Sequence, residues 1–475
     1  MRCLPIVPRS RARRALLTLL APGILFSQMG AQMAAQTVSP DLRQADLGQI
    51  VQRLDRLEKQ NQSLAEEVHQ LRQELAEAHG QPQLAPAAPS LDEQVAVNQS
   101  RVEELAQSKV EASQHFPIRV TGMALFNGFL NSQGSGGQQY PTFAWPGSQA
   151  SGGGSFYQTT IGLDYSGPQI FGGGKVHGSV YMDFAGGSGT PLDLGFRLRT
   201  GEIEVDWANQ SILAGVESPI FAPREPASLA QVEFAPLSGA GNLWLWTPQV
   251  RFEQKIRFSD QTGVRAQFGA VQTNEARGYQ PIAQYAPAPE PARPGLEGRF
   301  EFFHRFAGGS QDGSADGPRI EIAPGFHTSV THVAGTSVPS NLFSLDWFAN
   351  PLSKLEFTGA FFSGQNVAPL GGLEGFTILP TGVAIPVHSQ GGWSQVTFLA
   401  TPRLSFHFFS GLENGRTADL AAYAIGRNWL YGTNLFYRLA PNVLVGAEVS
   451  QARTAYIDSS LRLNNHYDLA LAYLF

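Results

Sequence analysis

The residues of this chain that could do covalent chemistry are few and poorly placed for it. No G-x-S-x-G, H-E-x-x-H or glycine-rich phosphate loop in a strand-to-helix context occurs in the sequence. His327 and His332 stand five apart, so on an extended strand they fall on opposite faces and are not expected to share a metal ion. His304 and His407 would need a serine beside them to form a hydrolytic pair, and the simpler reading makes them polar wall or loop residues. Cys3, at the extreme start, is the only cysteine, so nothing downstream offers a disulfide or a thiolate ligand. The sequence predicts no catalytic residue, no bound metal and no cofactor.

The chemistry it does offer is electrostatic. Val250, Phe252, Gln254, Ile256 and Phe258 alternate with Arg251, Glu253, Lys255 and Arg257, which places four successive charges on one face of a strand. A dry core could not take those charges unpaired, whereas a water-filled passage could. Arg197 and Arg199 join them at upper to middle depth, while Glu202, Glu204 and Asp206 follow nearer the opposite mouth. A passage lined this way selects solutes by the sign of their charge. In a second reading the same arginines pair with Asp183, Glu253 or loop acids and brace the wall. The long join from Pro219 to Trp246 is the best candidate to fold inward as a constriction, with Arg224 and Glu225 as its charged pair.

These side chains need elements that hold one face in lipid and the other in water. In the final stretch Tyr467, Leu469, Leu471, Tyr473 and Phe475 share one face, about the length of a tilted strand that crosses a bilayer, with aromatic residues at both ends. Taken alone it could also be the edge strand of a soluble sandwich. From Ile118 onward the same period of two recurs, in runs near 118–130, 155–166, 173–185, 193–207, 209–218, 248–259, 262–273, 294–306, 317–332, 340–349, 353–364, 391–401, 402–411, 426–439, 442–454 and 463–475. Parity slips at Gly201 and again at Pro324, both expected companions of a bulge. The odd joins tend to be long and the even ones tight, as at Ala208-Asn209, Asn350-Pro351 and Thr401-Pro402; the even join Ala307 to Pro318 is the exception. A soluble sandwich has no reason to alternate its loops in this way. The fold class predicted is an all-β transmembrane barrel of about 16 antiparallel strands, covering 117–475, with an N-terminal periplasmic α-helical coiled coil.

Upstream, five arginines precede an apolar run and small residues, the pattern of a secretory signal peptide over 1–35. Its removal leaves 33 − 5 = 28 basic against 39 acidic residues, an acidic balance that argues against nucleic acid as a partner. Leu47, Ile50, Leu54, Leu57, Asn61, Leu64, Val68, Leu71 and Leu75 then alternate spacings of three and four, a coiled-coil seam within 41–79 that is roughly 40 Å long and requires partner helices. Pro82, Pro86 and Pro89 open a linker and second helical piece over 80–116. The seam predicts an oligomer.

Leu194-Gly195-Phe196-Arg197-Leu198-Arg199, then Ile212 to Phe221 and Trp246-Thr247-Pro248-Gln249-Val250-Arg251, resemble segments of the DcaP-like outer-membrane porins, and the layout of leader, coiled coil and barrel is similar throughout. The resemblance implies a trimer of diffusion channels in the bacterial outer membrane, with the coiled coil in the periplasm and small anionic or polar solutes passing inward. A structural alternative treats the barrel as an anchor in outer-membrane lipid and the coiled coil as a spacer that reaches peptidoglycan.

Overall fold

The computed structural model describes residues 118–475 apart from 148, 188–193, 273–287, 290–292, 307–316, 334 and 459–460. The signal peptide (1–35), coiled coil (41–79) and linker (80–116) lie outside the described residues. Sixteen strands follow one another around a single sheet. They are β1 Ile118–Asn131, β2 Thr160–Ile170, β3 Gly174–Asp183, β4 Arg197–Asp206, β5 Gln210–Glu217, β6 Thr247–Arg257, β7 Thr262–Val271 and β8 Gly295–Arg305. The second half comprises β9 Arg319–Val333, β10 Thr336–Leu352, β11 Leu355–Gln365, β12 His388–Thr401, β13 Leu404–Gly415, β14 Ile425–Ala440, β15 Val443–Tyr456 and β16 Arg462–Leu474. Each pairs antiparallel with the next, and β1 pairs with β16 from Met123↔Leu474 to Asn131↔His466, which closes the barrel. Closure leaves no edge strand, so the ladder satisfies the peptide groups that lipid could not.

Alternation then sorts the side chains. On β6 Phe252 is 43% exposed on the outside while its neighbour Arg251 is 5% exposed on the inside. On β16 Tyr467, Leu469, Leu471 and Tyr473 face out, and His466, Asp468, Ala470 and Ala472 are buried within. The greasy halves of the strands meet the surroundings, and the polar halves meet the interior. This inverts the burial of a soluble sandwich.

Two expectations about parity have different outcomes. Between β3 and β4 the register slips, with Tyr181 opposite Thr200 and Met182 opposite Leu198, so Arg199 is the extra residue of a bulge. The bulge turns Arg197 and Arg199 above it, and Glu202 and Glu204 below it, to the same interior. At Pro324 there is no slip: β9 pairs with β10 continuously from Ile320↔Ala349 to Val333↔Thr336. Pro324 stands on the outer face, and its missing N–H only interrupts the pairing with β8 between Arg299↔Gly325 and Phe302↔Ile322.

The loop ledger also needs two corrections. The ninth join is short, because β9 and β10 run 15 and 17 residues and meet across 334–335, where Gly335 supplies a φ of 76°. The turn expected at Asn350-Pro351 falls at Ser353-Lys354, since β10 continues to Leu352 through a register shift. The join between Arg305 and Arg319 is an extended even join, and the count stays at sixteen.

Apolar packing lies inside the barrel. Of the five buried apolar clusters among the described residues, four contain residues of the loop 218–246, such as Leu229 and Val232 against Met123, Leu125, Phe436 and Leu444.

Facing explains why arginine is tolerated at position 251 and predicts that it will not be at 252. Phe252→Arg, near mid-strand on the lipid face, is expected to destabilise the folded barrel by about 2–4 kcal/mol in a bilayer unfolding titration. A change within 0.5 kcal/mol of wild type, the usual effect at a free surface, would contradict the assigned facing.

Candidate functional site

The loop 218–246 leaves β5 and runs round the inside of the barrel, meeting the strands in order. Ile220 donates its N–H to Glu297 on β8, the Phe221 ring approaches His327 on β9, and its carbonyl accepts from Ser344 on β10. The Ala227 N–H donates to Gln395 on β12, its carbonyl accepts from Asn434 on β14, and the Ser228 hydroxyl donates to Glu448 on β15 at 2.6 Å. The Leu229 carbonyl accepts from Asn127 on β1, Gln158 just before β2 binds Ala230, Val232 and Glu233, and Arg197 on β4 donates to the Glu233 carbonyl. Those contacts span about three quarters of the circumference in 13 peptide steps, which reach at most about 47 Å, so the arc has a radius of at most about 10 Å. Sixteen tilted strands enclose a backbone radius of roughly 16–17 Å. The loop is therefore an inner ring that narrows the lumen.

The loop's return is anchored by close backbone approach. Gly241 has φ 94°, and a Cβ there would lie 2.4–2.5 Å from the backbone of Gly392 on β12, so the position requires glycine. Nearby, Asn428 on β14 donates to the Gly239 carbonyl.

Arg224 is the loop's charged anchor. Its guanidinium donates to Asp346 and to Glu321 at 2.6 Å each, and Glu301 lies 3.5 Å away. These carboxylates are shared: Arg299 meets Asp346 and Glu301 at 2.7 Å, Arg319 meets Glu321 at 2.7 Å, and Arg265 also pairs with Glu301. Burial pushes the Arg224 guanidinium toward deprotonation, but Glu321 and Asp346 outweigh it and hold the group more firmly charged than usual. The Phe348 ring lies under both Arg319 and Arg224, at 4.5 and 5.6 Å.

The predicted charges separate into different settings. Arg224 is held on the β8–β10 wall, and Glu225 lies in the field of Arg199 from β4. Arg197 grips Asp183 through two nitrogens, at 3.1 and 2.6 Å, as in the bracing reading. Arg199 lies 3.6 Å from Asp183 and 4.7 Å from the Trp246 ring, and one guanidinium nitrogen has no hydrogen-bond partner among the described residues. Arg251 is buried, and its Nη1 likewise has none. Glu253 accepts from Gln267 at 2.9 Å. Lys255 is half-buried and Arg257 exposed, so the four-charge run grades from covered to open toward the tight-turn end.

Sequence reading missed the acids that organise the site, Glu301, Glu321 and Asp346. Each sits singly between apolar neighbours on a different strand, and the only signal was inward parity. Among the histidines, His407 meets Ser405 through Nε2 at 3.0 Å, but its Nδ1 faces the Thr397 hydroxyl at 3.0 Å, not a carboxylate that would orient a base. His304 meets Thr262, and His327 is buried against Glu297 and Ser329.

A closed antiparallel barrel of sixteen strands, apolar outside and polar inside, with its third long loop folded within, is the architecture of an outer-membrane porin. The chain is similar in fold to the crystal structure of the outer membrane channel DcaP of Acinetobacter baumannii, at TM-score 0.60 and 14% identity, over 75% of this chain and 97% of that one. It is also similar to an anion-selective porin from Comamonas acidovorans, at TM-score 0.52 and 9% identity, over 75% and 99% of the two chains. No protein-family model and no curated protein matches the chain. At these identities the likeness establishes the fold.

Two outcomes follow from the loop contacts. Arg224→Ala removes one partner from each of Glu301, Glu321 and Asp346, which keep Arg265, Arg299 or Arg319, and is expected to weaken loop anchoring by about 1.5–3 kcal/mol, read as faster hydrogen exchange across 218–246. Unchanged exchange would show that Arg224 does not anchor the loop. In the loop 366–387, burial raises the half-buried Glu374 carboxyl, although the Ile425 N–H donates to it and partly lowers it. A folded-state carboxyl raised above its unfolded value makes the folded loop bind more protons in that window, so packing should tighten as pH falls through it. Glu374→Gln should remove that dependence in exchange measurements on 366–387, and a persisting dependence would assign it elsewhere.

Proposed function

We propose that the chain is a diffusion porin of the bacterial outer membrane, passing small hydrophilic solutes, with anions favoured, into the periplasm. The observation that carries the channel reading is the inverted sorting of side chains around a closed sheet, apolar toward lipid and polar toward a lumen that the loop 218–246 narrows. The two structures of similar fold belong to an outer-membrane channel and an anion-selective porin, in keeping with this reading.

The charge preference rests on Arg199 and Arg251. Arg224, Arg299 and Arg319 are matched by carboxylates at close range, which cancels much of their field. Arg199 and Arg251 point inward with less complete compensation, and in a narrow low-dielectric passage such a charge is felt by a solute that does not touch it. Glu253, Lys255 and Arg257 extend the lining toward the tight-turn end, which this reading places in the periplasm. The coiled-coil seam over 41–79 would hold three copies together there. The acidic charge balance of the chain speaks against nucleic acid as a partner.

Purified protein in a planar bilayer is expected to give stepwise conductance, in near-multiples of three, with a reversal potential shifted toward anions under a KCl gradient. Arg199→Ala and Arg251→Ala together should reduce or abolish that shift. A silent bilayer from folded protein would overturn the channel reading, and a shift toward cations would overturn only the charge preference.

A further inference from the structure

We infer that His177, Glu204 and Asp206 form a binding site for a divalent transition metal, Zn²⁺ by its donor set, at the tight-turn mouth of the lumen. His177 stands on β3 directly across the ladder from Glu204 on β4, and Asp206 follows Glu204 on the same inward face. The His177 Nε2 lies 3.2 Å from a Glu204 carboxylate oxygen and 3.8 Å from one of Asp206, and the three donor atoms fall within 4.8 Å of one another. Ligands at about 2.0–2.2 Å from a tetrahedral Zn²⁺ are themselves about 3.3–3.5 Å apart, so the observed separations bracket the required ones. One imidazole and two carboxylates suit Zn²⁺ and its neighbours in the series over Mg²⁺ or Ca²⁺, which prefer oxygen alone.

The surroundings fit the assignment. Glu204 is buried and takes a further hydrogen bond from Ser211, while His177 and Asp206 are partly exposed, so an ion can enter from the mouth. Lys175 stands opposite Asp206 and Arg251 acts on Glu204; both compete electrostatically with the ion. Three protein ligands leave a fourth position open toward the lumen. A bound ion would add two positive charges beside two carboxylates, making the mouth less attractive to cations. This consequence for passage, unlike binding itself, rests on the porin reading.

The test uses full-length protein in detergent and Co²⁺ as a probe. Wild type is expected to develop the visible absorption of a low-symmetry, four-coordinate nitrogen–oxygen site that Zn²⁺ displaces and Mg²⁺ does not. His177→Gln and Asp206→Asn should each weaken binding at least about tenfold, since each removes one of three ligands. Comparison with variants excludes ions held by His69, His79 or His115. Strand content by circular dichroism and heat-modifiable migration establish that the variants fold. Equal affinity and absorption in folded His177→Gln, or displacement by Mg²⁺ as readily as by Zn²⁺, would overturn the site. In bilayers, micromolar Zn²⁺ on the tight-turn side should shift the reversal potential toward anions in wild type and not in His177→Gln. A metal-free wild type that does not conduct would defeat the porin reading and leave the Co²⁺ result standing.

Discussion

A bilayer interior offers a peptide group no hydrogen-bond partner, and the whole barrel follows from that lack. The constraint acts at the seam. β1 enters beside β2 over Ile118–Met123, then passes between Ser151–Ser155 on one side and β16 on the other. At the last rung Gly122 and Phe475 exchange backbone hydrogen bonds at 2.9 and 3.2 Å. Gly122 is needed there, since a Cβ would lie 2.4 Å from the Thr160 carbonyl and 2.7 Å from the Phe475 ring. Once the sheet is sealed, each side chain has only two destinations, and strand parity chooses between them.

A sealed cylinder of this width leaves a lumen that its own wall side chains cannot fill. The loop 218–246 occupies it, and the strands facing it carry what the loop needs, not what water needs. β1 turns Met123 and Leu125 inward, an apolar stripe that serves as the floor for Leu229 and Val232. Next to them Asn127 and Gln158 satisfy the loop's backbone. Gln158 can do so because it belongs to 156–159, which interrupts the strand pairing between Ser155 and Thr160. Polar satisfaction and apolar burial thus hold the same ring.

The lumen's electrostatics follow from where the loop lies. On the β8–β10 side, arginines and carboxylates are interlocked, a rigid matched lattice into which Arg224 is set. Near β4 and β6 matching is looser, with Arg197 closed on Asp183 and Arg199 spread between Asp183 and Trp246. One wall therefore braces, and the other carries the residual field that the porin reading uses.

Read alone, the sequence determined the barrel, its sixteen crossings and which residues face lipid, because strand parity is a local property that a period of two displays in any one segment. It also singled out the long join from Pro219 to Trp246 as the best candidate to turn inward, from its length and the width of the barrel, and the bulge near Gly201, from a break in parity. Pro324 misled because a proline can lose a hydrogen bond without changing register. Partnership was not legible. That Arg224 reaches Asp346, 122 positions away, while Glu225 lies in the field of Arg199, or that His177 meets Glu204 across a ladder, depends on register and on the path of a loop through space. Only the closed tertiary structure decides those, because charges on separate strands pair by proximity across the lumen, and sequence spacing carries no trace of that distance.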